Sequence, residues 1–334
     1  MLEPPDIQKQ VIIACLEQSY DLQVKQLTFL PLGVDVNAAV FRVDTHGASA
    51  YFLKLRKGAF DPIAVSVPLF LKSQDIPAII APLESLTHQP WVEMDGCKLI
   101  LYPFIQGQDG YARSLTGDQW HDFGAAFKSV HAVKLPAALA LQIPRETFSP
   151  YWLNVVKKFQ TQVEYTRYAD PVAAALADFM QTRRDEINRL VERCARLGLA
   201  LKAQPQPFVL CHADLHPGNL LIGDRDLYIV DWDEPLLALK ERDLALLGGC
   251  THWQDPHDID QFYQGYGQAP VDPAALAYYR FDRIIRDIAA FCQQLLESEE
   301  GGKDREQSFA FFASNFLPGH EIDLAMRADE IDSY

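Results

Sequence analysis

The first hundred residues combine two helical patterns with several short apolar runs. Apolar positions recur at helical spacing over residues 6–19, where Asp6 is a candidate N-cap, and again over residues 62–73. Runs rich in β-branched and aromatic residues predict five strands, over residues 24–30, 39–43, 51–55, 76–83 and 97–102. The N-terminal third of the chain is therefore expected to hold a sheet and two helices.

Helical periodicity dominates the chain after residue 116. Thr116 and Gln119 have the spacing of a capping box, and the apolar stripe that follows them predicts a helix. Further helices are predicted over residues 151–165, 171–197, 258–266, 273–296 and 305–316. Arg280, Arg283 and Arg286 recur at helical spacing and are expected to form a solvated face of one of these helices.

One segment, residues 208–234, interrupts the helical region. It opens with the apolar run FVLC, which is typical of a short buried strand. A polar loop over residues 212–219 follows, and Pro217 and Gly218 keep it from becoming helical. The apolar runs on either side of the turn-like sequence GDRD then predict a hairpin, and its second strand delivers Asp231.

The polar residues of this segment have the spacing of a phosphate-transferring site. Asn219 lies five residues after Asp214. In the kinase catalytic loop an aspartate and an asparagine at this spacing receive the substrate hydroxyl proton and hold magnesium, respectively. Asp231, on the next hairpin, is placed for a second magnesium ligand, and magnesium prefers such oxygen donors. We therefore predict Asp214 as the catalytic residue and Asn219 and Asp231 as metal ligands.

Two other interpretations of this loop are open. His212, Asp214 and His216 alternate, as the ligands of a zinc hydrolase could. His212 alone could instead be a buried histidine that bonds the loop backbone. Phosphate transfer is favoured for the loop as a whole because the zinc interpretation leaves Asn219 and Asp231 unexplained.

The motif HADLHPGN followed by IVDWD resembles the aminoglycoside phosphotransferase and choline kinase superfamily. Within it, the run DWDEPLLALKERDLALLGG and the sequence FYQGYG are similar to the spectinomycin phosphotransferase branch. The resemblance implies an α+β, two-lobed protein-kinase-like fold. Residues 1–104 would form a small lobe with an antiparallel sheet, and residues 105–334 a larger, mostly helical lobe. It also implies that Asp243 braces the catalytic loop and is structural.

Lys54 lies inside the apolar run YFLKL and needs a partner on the face where it emerges. The kinase-like interpretation has it hold the α- and β-phosphates of ATP, whereas the alternative is an edge-strand lysine in solvent. Protein kinases pair this lysine with a glutamate of the next helix. The helix predicted over residues 62–73 contains no glutamate, and Asp61 is the nearest acid. Whether Asp61 pairs with Lys54 stays open.

The remaining nucleotide contacts are expected around a loop and a hinge. The loop after the first predicted strand holds a single glycine, Gly33, and so fails as a G-x-G-x-x-G motif. By resemblance, this loop covers the phosphates, and Asn37 matches a position common in the spectinomycin branch. The segment that begins at Pro103 is expected to be a hinge between lobes, with a plain interdomain linker as the alternative. Pro103 lacks an N–H and can only accept from adenine, so the donor falls at Ile105.

The resemblance implies transfer of the γ-phosphoryl group of ATP, with Mg²⁺, to a hydroxyl of a small, cationic aminocyclitol or aminoglycoside such as spectinomycin. His216 is a candidate contact to the transferring phosphate. A kinase of a metabolic amino alcohol or sugar is the alternative. A nucleotide-binding pseudokinase is disfavoured because Lys54, Asp214, Asn219 and Asp231 are all present.

Composition narrows the class of partner. The 334 residues carry a formal net charge of −15, which disfavours nucleic acid and suits a cationic small molecule. The six cysteines are scattered without a C-x-x-C pair, as in a reducing compartment. Neither a signal-peptide pattern nor an apolar run of membrane-spanning length is present, so we expect a cytoplasmic protein without a membrane partner. The oligomeric state is left open.

Overall fold

The computed structural model describes residues 4–5, 7–32, 37–298 and 302–331. The chain folds as two units, each defined by its internal contacts. The first unit combines Met1–Pro144 with Asp214–Pro235, and the second combines Arg145–Ala213 with Leu236–Tyr334. The loop that carries Asp214 and Asn219 thus belongs to the first unit. The predicted lobe boundary between residues 104 and 105 stays a prediction.

The described residues form ten strands and twelve α-helices. The strands are β1 Val24–Leu30, β2 Ala38–Thr45, β3 Ala50–Lys57, β4 Val92–Met94, β5 Cys97–Pro103, β6 Gln108–Asp109, β7 Val209–Cys211, β8 Leu220–Ile222, β9 Leu227–Ile229 and β10 Leu236–Ala238. The helices are α1 Lys9–Tyr20, α2 Ile63–Ser73, α3 Gly117–Ala132, α4 Ala137–Ala140, α5 Tyr151–Tyr165, α6 Pro171–Thr182, α7 Arg184–Lys202, α8 Glu241–Leu244, α9 Pro256–Tyr266, α10 Pro273–Leu296, α11 Gly302–Ser314 and α12 Glu321–Ile331.

An antiparallel sheet of five strands, in the order β1-β2-β3-β5-β4, dominates the first unit. Alternate residues of β2, β3 and β5 pack with α1 in one apolar core, which includes Phe41, Leu53 and Leu101. Because side chains alternate along a strand, Lys54 and Arg56 project from the opposite face of β3. The pattern of the sequence therefore places both cations on one side of the sheet.

The prediction of a strand over residues 76–83 was wrong. This segment contains Pro77 and Pro82, which cannot donate to a ladder, and only Ile79 makes an isolated parallel bridge, with Ile229. The short strand β4 takes the edge of the sheet instead, paired with β5. The bridge at Ile79 joins this segment to β9.

The hairpin of β8 and β9 completes the first unit. Strands β8 and β9 pair antiparallel as predicted, and β6 adds a third strand beside β8. The capping box at Thr116 is also confirmed, since the side chains of Thr116 and Gln119 exchange hydrogen bonds with each other's backbone. The Gln119 amide donates to the carbonyls of Gly223 and Asp226 at 3.1 and 3.2 Å. The start of α3 thereby supports the turn of the hairpin.

Helices surround α10 in the second unit, where α5, α6, α7, α11 and α12 all contact it. The short strands β7 and β10 pair antiparallel beside this core. Two expectations fail here. The helix predicted over residues 171–197 is interrupted at Arg183, which separates α6 from α7. Arg280 is buried, because its guanidinium donates to the carbonyls of Ala245 and Leu247 at 2.8 and 2.7 Å.

None of the helices in the described ranges combines the length and hydropathy of a membrane span.

Candidate active site

The catalytic loop leaves β7 through a backbone conformation that is fixed by side chains. Ala213 has φ 71°, in the left-handed region that is uncommon for a residue with a Cβ. The N–H groups of His212 and Ala213 donate to the two carboxylate oxygens of buried Asp243 at 2.9 and 2.8 Å. These bonds hold the backbone of His212 and Ala213 in place. The predicted bracing role of Asp243 is confirmed.

Arg242 holds the carbonyl of the same residue, Ala213, and was missed by the sequence reasoning. Its Nε donates to the Ala213 carbonyl at 3.0 Å, and its Nη1 donates to Asp282 at 2.8 Å. Burial acts to lower the pKa of Arg242, but the carboxylates of Asp282 and Glu146 outweigh it and raise that pKa. The guanidinium therefore stays charged. Its position beside Asp243 in the run KERDL was the available signal.

Asp214 and Asn219 lie at the two ends of the loop and are joined directly. The Asn219 amide Nδ2 donates to the main-chain carbonyl of Asp214 at 2.8 Å. Asn219 is buried, whereas the Asp214 side chain is 50% exposed. With Nδ2 engaged, the Oδ1 of Asn219 is the atom that could bind a metal. The structure thus brings together two of the predicted site residues, an accessible carboxylate and a fixed amide.

The hairpin brings Asn219 and Asp231 to the same end. Asn219 immediately precedes β8, and its carbonyl accepts from the N–H of Val230 at 2.9 Å, just beyond β9. Asp231 follows with φ 64°, a second left-handed residue. Strained backbone of this kind costs on the order of 1–3 kcal/mol and is typical of functional sites. The neighbouring Trp232 is buried and donates its Nε1 to the Ile229 carbonyl at 3.2 Å, which supports the turn.

Lys54 meets this hairpin from the sheet. Its partners across the sheet are Val40 and Ile100, both buried. The ammonium donates to Asp231 Oδ1 at 2.9 Å and to both oxygens of Asp233, at 2.9 and 2.8 Å. Burial acts to lower the pKa of Lys54, but Asp231 and Asp233 outweigh it and raise that pKa. The lysine is therefore a charged group at the site rather than an edge-strand residue in solvent.

Asp233 is a site residue to which the sequence reasoning gave no role. Besides Lys54, it accepts from Arg56 Nη1 at 2.6 Å. Asp61, the acid considered for Lys54, instead accepts from the N–H of Ile63 at 3.0 Å and caps α2. The sequence did contain an indication that these cations and acids pair. Cations stand two residues apart at positions 54 and 56, and acids stand two residues apart at positions 231 and 233.

His216 is held beside Asp214 with its ring orientation fixed. Its Nδ1 accepts from the N–H of Gly218 at 3.1 Å, so a neutral ring carries its proton on Nε2. That Nε2 lies 3.8 Å from Asp214 Oδ2. The ring of Tyr111, which the sequence reasoning did not consider, stacks on the imidazole with centroids 6.1 Å apart. An N–H donor is therefore present next to the predicted base.

His212, Asp214 and His216 do not form the zinc site that was the alternative. His212 is completely buried, and among the described residues these three side chains do not gather their ligand atoms into one metal-binding group. The alternation in sequence does not bring all three together, because His212 is buried in the core whereas His216 lies 3.8 Å from Asp214.

Pro103 is the last residue of β5 and lies beyond the part of that strand that pairs with β4. Phe104 N–H donates to the Ala50 carbonyl at 3.2 Å, so the polar backbone groups of the preceding Pro103 point away from β3. On the same edge, two residues earlier, the Leu101 carbonyl accepts from Leu83 N–H at 2.7 Å. The Pro103 carbonyl thus points away from β3, and its role as an acceptor for adenine stays a prediction.

The other predicted nucleotide-binding residues are Ile105, Asn37 and Gly33. Within the described ranges, the N–H of Ile105 donates no hydrogen bond to another protein group, which suits a donor to a ligand. Asn37 is exposed in a turn, and its carbonyl accepts from the N–H of Lys57 at 2.8 Å. Gly33 lies outside the described residues.

The comparisons with known proteins agree with this geometry. The model of the phosphotransferase enzyme family matches residues 28–279. No protein of the curated collection matches the chain. The structure of spectinomycin phosphotransferase APH(9)-Ia in complex with ADP and spectinomycin is 36% identical, with a TM-score of 0.91, and the match covers 98% of this chain and 100% of that chain. Its AMP-bound complex matches at 35% identity and a TM-score of 0.86, covering 96% and 98%.

A more distant structure shares the fold alone. The microcompartment-associated aminopropanol kinase is 16% identical, with a TM-score of 0.62 and 98% of both chains covered. Together these similarities confirm the predicted α+β, protein-kinase-like fold and the resemblance to the spectinomycin phosphotransferase branch.

Proposed function

Because the chain belongs to the phosphotransferase enzyme family, we propose that it transfers the γ-phosphoryl group of ATP to a hydroxyl of an aminocyclitol such as spectinomycin. The chain is a phosphotransferase with an alcohol group as acceptor. The observation that carries the proposed chemistry is the ion pair between Lys54 and Asp231, which are 177 residues apart in sequence. It joins the cation proposed for the phosphates to a carboxylate proposed for the metal.

The proposed donor of the phosphoryl group is a nucleoside triphosphate held by residues of the first unit. Lys54 supplies a positive charge for the α- and β-phosphates, in the role that such a strand lysine has in kinases. The carbonyl of Pro103 and the N–H of Ile105 supply an acceptor and a donor for adenine. Asn37 and Gly33 belong to the loop that would cover the phosphates. Support comes from the similar spectinomycin phosphotransferase, whose structures contain ADP and AMP.

The residues present fit magnesium. Asn219 offers Oδ1, because its Nδ2 is engaged by the Asp214 carbonyl, and Asp231 offers a half-exposed carboxylate at the same end of the hairpin. Both are hard oxygen donors, which magnesium prefers. When bound, magnesium supplies positive charge that neutralises the phosphate oxygens. Asn219 and Asp231 would hold it.

Asp214 is proposed to receive the proton of the acceptor hydroxyl. Its side chain is half exposed, so an acceptor can reach it, while the bonds around Ala213 fix its backbone. His216 presents Nε2 close to the same carboxylate and is proposed to donate to a phosphate oxygen as charge moves there. The chain contributes mainly positioning and charge, which is how phosphoryl transfer is generally catalysed.

The acceptor class rests on similarity. The spectinomycin phosphotransferase matches this chain over nearly its whole length at 36% identity, whereas the aminopropanol kinase is only 16% identical. A net charge of −15 also suits a cationic acceptor. An endogenous amino alcohol or sugar is the alternative acceptor within the same reaction class.

A screen of the purified protein tests the proposal. ATP consumption is measured with magnesium and, in turn, spectinomycin, aminoglycosides and amino alcohols, and the acceptor is examined by mass spectrometry for one added phosphoryl group. We expect turnover with an aminocyclitol that EDTA abolishes. Asp214→Asn, purified in parallel, controls for contaminating kinases.

Two results would change the proposal. Phosphorylation of an amino alcohol with none on any aminocyclitol would replace the acceptor class. Turnover that persists in EDTA, or that zinc alone restores, would remove the magnesium mechanism. Expression in a susceptible bacterium gives an independent readout, because modification of spectinomycin should raise resistance to it.

A further inference from the structure

Lys54 is a buried cation whose usual partner is missing. In protein kinases the strand lysine pairs with a glutamate of the following helix. Here that helix, α2, contains no acidic residue, and Asp61 is used as its cap. The Lys54 side chain is only 13% exposed, so its charge needs a fixed counter-ion.

Two carboxylates hold the Lys54 ammonium, and they do so differently. Asp231 accepts through one oxygen at 2.9 Å, and its side chain is 48% exposed. Asp233 accepts through both oxygens, at 2.9 and 2.8 Å, and its side chain is 25% exposed. Asp233 also accepts from Arg56 Nη1 at 2.6 Å. Lys54 and Arg56 project from the same face of β3, so Asp233 is bound to the sheet at two points.

The two carboxylates are therefore suited to different partners. An oxygen that binds magnesium is less available to an ammonium, and Asp231 is the proposed metal ligand. Asp233, with both oxygens and two cations engaged, can keep Lys54 in place when Asp231 is drawn to the metal. The charges also balance, since Lys54 and Arg56 face Asp231 and Asp233.

We propose that Asp233 is the positioning residue of Lys54, in place of the helix glutamate of protein kinases, and that Asp231 is thereby left for the metal. This proposal rests on the proposed function, because it takes Lys54 to be the phosphate-binding cation. In the variant Asp233→Asn the ammonium loses its second charge partner and is held by Asp231 alone. Lys54 is then no longer held in its position by Asp233, so it binds phosphates less well. This effect does not require a metal.

Binding of ADP, measured by calorimetry in EDTA and again with magnesium, tests the proposal. The variants are Asp233→Asn, Lys54→Ala and the two combined. We expect Asp233→Asn to weaken metal-free ADP binding by about tenfold, and the combined variant to bind no more weakly than Lys54→Ala alone, since coupled residues are not additive. Glu234→Gln, the exposed acid next in sequence, is the control for a general change of charge and should leave affinity unchanged.

The outcomes separate the alternatives. An affinity loss that appears only with magnesium would make Asp233 a metal ligand and overturn the proposal. An equal loss in the Lys54→Ala background would also overturn it, because Asp233 would then act without Lys54. Should Asp233→Asn fail to fold, Asp233→Glu replaces it, because it retains the charge at a shifted position. Its metal-free affinity for ADP should fall between that of the unmodified protein and that of Lys54→Ala. Absence of ADP binding in the unmodified protein would instead count against the proposed function.

Discussion

Replacing Asp243 by asparagine is expected to loosen the catalytic loop without touching a ligand. The two carboxylate oxygens of Asp243 accept from the N–H groups of Ala213 and His212 at 2.8 and 2.9 Å, and the side chain is 1% exposed. Asparagine supplies one carbonyl oxygen in the same volume. Its NH₂ group then faces the second N–H, so one buried donor is left without an acceptor.

The size of the effect follows from these two bonds. A hydrogen bond to a charged group contributes about 1.5–3 kcal/mol, and an unsatisfied buried donor costs about 1–3 kcal/mol. Asp243→Asn should therefore lower the free energy of unfolding by about 2–4 kcal/mol. The left-handed conformation of Ala213, unfavourable by about 1–2 kcal/mol, also loses support. A displacement of Asp214 by about 1 Å would lower kcat on the order of 10²-fold.

Urea unfolding and steady-state kinetics on the same preparation test this reasoning. Asp260→Asn, an exposed position on α9, is the matched control and should change neither quantity measurably. The reasoning is refuted if Asp243→Asn unfolds at the same urea concentration as the parent protein. If stability falls while kcat is unchanged, Asp243 supports the fold but does not position Asp214.

Two further predictions concern a close contact and a pH dependence. In Gly218→Ala the added Cβ would lie 2.8 Å from His216 Cε1, so the imidazole must move, and kcat should fall about tenfold or more with little loss of stability. The pKa of Asp170 is lowered by the hydrogen bond from Ala173 N–H and by Arg305. A lowered pKa means that the ionised carboxylate stabilises the fold above its ordinary value of 3.8 and loses this effect as the pH falls through the folded value. Asp170→Asn should therefore lower Tm at pH 7, and the difference should shrink towards pH 3.

Each of these has a clear control or contrary result. Gly47→Ala places its Cβ no closer than 3.9 Å to the nearest atom, Thr45 Oγ1, and should leave kcat unchanged. An unaltered kcat in Gly218→Ala would argue against a role of the His216 ring in turnover. A Tm difference for Asp170→Asn that stays constant from pH 7 to pH 3 would show that its carboxylate charge does not stabilise the fold.

Local patterns predicted those helices and strands whose ends are marked by capping residues or proline. Helix α10 begins at Pro273 after the N-cap Asp272, and the predicted bounds 273–296 agree with the structure. The strand predicted over 76–83 failed because its two prolines remove ladder donors. The interruption at Arg183 carries no glycine or proline, so the apolar periodicity ran on through it.

The candidate site was predictable where it is local in sequence. Asp214, Asn219 and Asp231 lie within one loop and its hairpin, so their spacing alone related them to one another. Asp233 and Arg242 gain their roles only from contacts made by folding. Arg280 follows the same rule, since nothing in the helical spacing of its neighbours indicated that carbonyls of Ala245 and Leu247 would bury it.

The central claim is that Asp214 takes the hydroxyl proton while Asp231 holds the metal. The direct measurement compares Asp214→Asn with Asp231→Asn, by titration of Mg-ATP into each variant and by kcat at saturating nucleotide. Asparagine preserves the size of the side chain in both cases. The matched substitutions therefore differ only in which carboxylate is removed.

Asp214→Asn should bind Mg-ATP like the parent protein and lose on the order of 10²–10⁴ in kcat, as expected for loss of a general base. Asp231→Asn should bind Mg-ATP more weakly and need more magnesium, because a charged ligand is lost. If Asp214→Asn lost nucleotide binding while Asp231→Asn kept it, the two assignments would be contradicted.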